Sequence, residues 1–168
     1  SEGFDAFESP NHPLLGTIGI DFELNWRMLR QPKTSGLPLR VRKLGDASVG
    51  ACRLYPGMPA HTLAAFLDGV SGCVLECYGA GNAPNRDADF MKVLRDACDS
   101  GTVIVAVPQP LRGSAALSLY ATGRTLLEAG VVSGFDITAH ATPTHPSYLF
   151  PLTSHPPPPP PMIPPNPP

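Results

Sequence analysis

Charge is scarce in this chain. Only 15% of its residues are Asp, Glu, Lys or Arg, and the net charge is −2. Without a basic surplus there is no electrostatic footprint for a nucleic-acid backbone, so no nucleic-acid partner is expected. Long apolar runs are missing too. None approaches the roughly 18 residues of a membrane span, so no membrane partner is expected either. Ser1 need not be the natural start, so the missing charged-then-apolar leader excludes nothing.

Cysteine is sparse: Cys52, Cys73, Cys77 and Cys98. No pair is a CxxC and no histidine stands near them in metal-finger register. Cys73 and Cys77 lie four apart, on one face of a strand. The expectation is buried, reduced thiols in a cytoplasmic protein, with no metal and no cofactor. His140, His145 and His155 also match no ligand spacing and read as solvated loop histidines.

Glycine and proline supply the punctuation. Residues 72–84 form a short apolar run that ends in Gly79-Ala80-Gly81-Asn82-Ala83-Pro84. A continuous apolar run bounded by glycines reads as a buried parallel strand. Gly79 and Gly81 permit a sharp turn at its carboxyl end, the edge where open α/β sheets hold their ligands. The loop half-matches a dinucleotide fingerprint, but Pro84 stands where the third glycine belongs and no acidic residue closes a second strand about 20 residues on.

Around that loop the chain alternates. Residues 1–13 read as a loop or linker. From Thr17 to Asn25 apolar and polar residues alternate with a period of two, which predicts a half-buried strand. A second arm over residues 37–41 makes this a hairpin. Strands are predicted over residues 49–54, 73–77, 102–107 and 131–132. Pro59 opens the first intervening helix and Asp87 or Asp89 the second, and Gly130 ends a third over residues 119–129. That order implies a parallel sheet with right-handed crossovers and helices on both faces. Residues 138–150 contain Pro143 and Pro146, so a loop or one helical turn is expected there. Ten prolines fill residues 156–168. Two readings are open for them: a passive polyproline II or disordered tail, and a docking segment for SH3- or WW-type partners.

Asp5-Ala6-Phe7-Glu8-Ser9-Pro10-Asn11, Leu54-Tyr55-Pro56-Gly57-Met58, Glu76-Cys77-Tyr78-Gly79-Ala80-Gly81-Asn82-Ala83-Pro84, Tyr120-Ala121-Thr122-Gly123 and Ser133-Gly134-Phe135-Asp136-Ile137-Thr138 follow in that order. As a set they resemble the C-terminal part of a cytoplasmic (type I) L-asparaginase, over residues 3–150. The resemblance implies an α/β fold: a small flavodoxin-like three-layer domain with a short parallel sheet over residues 49–150. A strand/hairpin linker over residues 1–48 precedes it and a Pro-rich tail over residues 151–168 follows. It also implies an amidohydrolase that turns L-asparagine into L-aspartate and ammonia through an acyl-enzyme, working as a homodimer or tetramer. The family's nucleophilic threonine sits in an N-terminal domain. This sequence has neither Thr-Gly-Gly-Thr nor Asp-Gly-Thr-Asp. No catalytic residue is therefore expected in the chain, and by itself it is expected to be inactive.

The resemblance carries Asn82, with Gly81, as a contact for L-asparagine or L-aspartate in an active or effector site completed across a dimer. Tyr120 is carried over as a second contact. The alternative readings are a left-handed turn residue for Asn82 and a packed tyrosine for Tyr120. Glu76 stands where bacterial members often carry an effector-gripping arginine, and Gln109-Pro110 replaces their frequent Gln-Cys. Effector regulation of the bacterial kind is not expected. The alternative for the whole chain is a non-catalytic ligand-sensing or assembly module whose tail recruits partners.

Overall fold

The computed structural model describes residues 9–30, 47–119 and 121–143. The chain divides into two compact units, Ser1–Arg42 and Lys43–Pro168. In the first, strands β1 (Gly16–Ile18) and β2 (Phe22–Leu24) pair antiparallel, with Ile18 opposite Phe22. The alternating run from Thr17 to Asn25 is therefore a hairpin by itself rather than one strand. A period of two reads alike along a straight strand and along two paired arms. What decides is the turn over residues 19–21, where the Gly19 amide donates to the Asp21 carbonyl at 2.9 Å. Ile18, Ile20, Phe22 and Trp26 are exposed. The arm expected over residues 37–41 lies outside the described residues, as does the Pro-rich tail.

The second unit holds β3 (Val49–Arg53), α1 (Ala60–Leu67), β4 (Gly72–Cys77), α2 (Ala88–Asp99), β5 (Val103–Pro108), α3 (Ala121–Glu128) and β6 (Val132–Ser133). The four strands form one parallel sheet in the order β3-β4-β5-β6. Each connection is a crossover through a helix, as the alternating sequence demands. Pro59 is the N-cap of α1, with ψ at 145°, so the helix begins at Ala60, one residue later than expected. Asp87, not Asp89, caps α2, and its carboxylate accepts the amides of Asp89 and Phe90 at 3.1 Å each. That satisfies two of the four donors a helix start leaves unpaired.

Strands that follow sequence order, joined by crossovers of one hand, place successive helices on one face. Cys52, Cys73, Leu75, Ile104 and Ala106 line that face. Leu63, Phe90, Leu94 and Leu126 cover it from α1, α2 and α3. Helices were expected on both faces; among the described residues they occupy one. The other face carries the Arg53–Glu76 pair, at 3.0 Å across neighbouring strands, with Val74 and Val107 buried behind it. Thr142 donates from its amide and its hydroxyl to the Thr138 carbonyl, at 3.0 and 2.8 Å. This is one helical turn, as the two prolines require. Residues 144–150 lie outside the described range.

Candidate functional site

β4 carries the chain to the carboxyl edge of the sheet, and its last residues set the site. Tyr78 and Asn82 exchange backbone hydrogen bonds: the Tyr78 amide donates to the Asn82 carbonyl at 2.9 Å, and the Asn82 amide donates back at 2.8 Å. Closing so few residues into a loop requires left-handed backbone. Gly79 and Gly81 supply it at φ 46° and 109°, without a Cβ clash. The turn expected from the glycines is there, at the expected edge.

Gln109 ties three strands together beneath it. Its amide nitrogen donates to the Leu54 carbonyl at 2.6 Å and to the Glu76 carbonyl at 3.0 Å, and its backbone amide to Cys77 at 2.9 Å. Sequence reasoning noted Gln109 only as half of a replaced pair. A side chain that bridges positions 33 and 55 residues away leaves no local signal. Glu76 is occupied by Arg53 from β3, so its carboxylate does not stand alone on the sheet.

Asn82 is exposed, and its side-chain oxygen accepts the Thr122 hydroxyl at 2.5 Å. Thr122 stands in the first turn of α3, 40 residues away, and sequence reasoning did not single it out. Gly81 packs against Leu117: a Cβ there would lie 2.7 Å from Leu117 Cδ2. Asn82 and Gly81 therefore share one corner with Thr122. Tyr120, the remaining candidate, lies outside the described residues.

The thiols offer no second chemistry. Burial pushes Cys73 and Cys77 up to about 12, with neighbouring thiols adding to the rise, and burial pushes Cys98 up to about 11. They stay neutral at pH 7 and are poor nucleophiles. Among the described residues no group of His, Cys, Asp and Glu is placed to hold a metal. No described helix is long and apolar enough to cross a membrane. A groove of about 610 Å³ opens between α1 and α2, at the opposite edge of the sheet from Asn82. Its charged lining residues are Asp68 and Asp96, so it presents no cationic side chain to an anionic ligand.

One polar atom at the rim is orphaned. The Tyr78 hydroxyl is buried and has no hydrogen-bond partner among the described residues. Burial, with Cys77 beside it, raises its pKa. A buried unpaired hydroxyl costs about 1–3 kcal/mol. Tyr78→Phe is therefore expected to stabilise the chain by about 1 kcal/mol, read as a higher urea midpoint at unchanged slope. A lower midpoint would mean that the hydroxyl has a partner.

Comparison with known proteins gives the domain a family. The Glutaminase/Asparaginase C-terminal domain matches residues 48–156. The 60 kDa lysophospholipase of Mus musculus is 40% identical over 148 residues, covering 87% of this chain and 26% of that protein. L-asparaginase 1 of Escherichia coli K12 is 38% identical over 151 residues, covering 89% of this chain and 44% of that protein. The crystal structure of L-asparaginase I from Vibrio cholerae superposes with a TM-score of 0.79 at 34% identity, over 86% of this chain and 43% of that one. The chain thus spans between a quarter and a half of these relatives' lengths. A domain match over residues 48–156, with relatives 38–40% identical and a solved L-asparaginase I of like fold, means that this chain belongs to the glutaminase/asparaginase family and carries that family's C-terminal domain.

Proposed function

We propose that the chain is the C-terminal part of an L-asparaginase-like amidohydrolase, which converts L-asparagine and water into L-aspartate and ammonia. The observation that carries this reading is the Tyr78–Asn82 turn, which presents an exposed amide at the carboxyl rim of a family-matched domain. In such a reaction a hydroxyl attacks the side-chain amide carbon, the C–N bond breaks, and ammonia leaves. Water then releases the acyl group and restores the hydroxyl. The attacking hydroxyl belongs to sequence beyond these 168 residues, which contain neither Thr-Gly-Gly-Thr nor Asp-Gly-Thr-Asp. Residues 49–150 finish an active or effector site across a homodimer, with Asn82, Gly81 and Tyr120 as the contributed residues. Residues 1–48 link this domain to its partner domain, and residues 151–168 form a tail. The neutral buried thiols suit a reducing, cytoplasmic setting.

The test is ammonia release. The purified 168-residue chain is expected to release none above background from L-asparagine. Replacing the matching part of Escherichia coli L-asparaginase 1 with this chain is expected to retain asparagine hydrolysis. Ammonia from the chain alone would place the reactive hydroxyl within it and overturn the assignment. A folded chimera that binds L-asparagine without hydrolysing it would overturn it too.

A further inference from the structure

The corner that holds Asn82 also decides which way its amide points. The Thr122 hydroxyl lies 2.5 Å from Asn82 Oδ1. The hydroxyl donates and the amide oxygen accepts, so the oxygen, not the nitrogen, faces Thr122. The side-chain nitrogen has no hydrogen-bond partner among the described residues, and Asn82 is exposed.

Both ends of this contact are fixed from below by one residue. Leu117 is fully buried, and it fills the space left by two glycines. A Cβ on Gly81 would meet its side chain at 2.7 Å, and a Cβ on Gly123 would meet its backbone, carbonyl oxygen included. Gly81 precedes Asn82 and Gly123 follows Thr122. Leu117 therefore sets the spacing between the turn and α3, and with it the spacing of the two side chains. The Thr125 hydroxyl, which donates to the Thr122 carbonyl at 2.9 Å, braces the same helical turn.

We propose that Thr122 is a positioning residue. It occupies the oxygen of Asn82, so the amide turns its two N–H donors outward and meets a ligand through an acceptor, the carboxylate on the α-carbon of an amino acid. The two outward N–H donors match a carboxylate and not an ammonium group, which brings donors only. This inference rests on the functional reading above and specifies which half of an amino acid Asn82 touches.

The Asn82 side-chain NH₂ signals in a ¹H–¹⁵N spectrum of the full chain test both parts. Without ligand, Thr122→Val shifts those signals and Thr122→Ser leaves them in place; unchanged signals in Thr122→Val would overturn the positioning role. With ligand, L-asparagine and L-aspartate perturb the signals, while β-alaninamide, which is asparagine without its α-carboxylate, does not. Thr122→Val weakens L-asparagine binding about two- to tenfold and Thr122→Ser restores it. β-Alaninamide binding as well as L-asparagine would overturn the ligand assignment. If L-asparagine and L-aspartate leave the wild-type signals untouched, the functional reading falls and takes the ligand assignment with it. The ligand-free contrast then judges Thr122 alone.

Discussion

Gly123→Ala is expected to destabilise the chain by about 3 kcal/mol, at the upper end of ordinary overpacking. A glycine inside a helix is normally a weak point, and alanine there gains about 1 kcal/mol. Here the sign reverses. Gly123 lies in α3, and a Cβ would stand 2.6 Å from Leu117 Cα and 2.8 Å from its carbonyl carbon, with the carbonyl oxygen closer still. These are backbone atoms of a buried residue, and no rotamer change relieves them. The whole first turn of α3 must lift, taking Thr122 away from Asn82. Urea or thermal unfolding would show the loss, with the melting temperature down by about 10 °C. An unchanged or raised midpoint would mean that the loop before α3 yields easily, and that Leu117 does not set the spacing of the corner.

Gly123 also marks where the sequence stopped being informative. The glycine turn, the apolar runs of β4 and β5 and the Asp87 cap were legible because their signals are local: a strand bounded by glycines, a carboxylate just ahead of a helix. The hairpin at Gly16–Leu24 was misread as one strand because its two arms keep the same alternation through the turn. The helices' shared face was missed because alternation gives the crossovers but not the strand order. Within the site, the turn holding Asn82 was visible and its partner was not. The motif Tyr120-Ala121-Thr122-Gly123 is legible, but nothing local marks Thr122 as the residue that meets Asn82. Only the fold brings residues 40 apart to within hydrogen-bond distance. Gln109 escaped for the same reason.

The second large effect is expected at Asn82 itself. Its amide is the exposed polar group of the turn, held by backbone bonds on one side and by Thr122 on the other. A hydrogen bond to a charged ligand group is worth about 1.5–3 kcal/mol, so Asn82→Ala is expected to weaken L-asparagine binding about 10- to 100-fold. The side chain is exposed and braces no core residue, so stability should change little. That separation distinguishes a ligand contact from a turn residue. A turn residue would be felt in unfolding and not in binding.

Calorimetric titration of L-asparagine into the full chain, wild type beside Asn82→Ala at matched stability, therefore asks the central question directly. Saturable heat from the wild type, nearly abolished in the variant, is the predicted result. Equal heats from the two proteins would remove Asn82 from the site and return its turn to the loops that merely connect a strand to a helix.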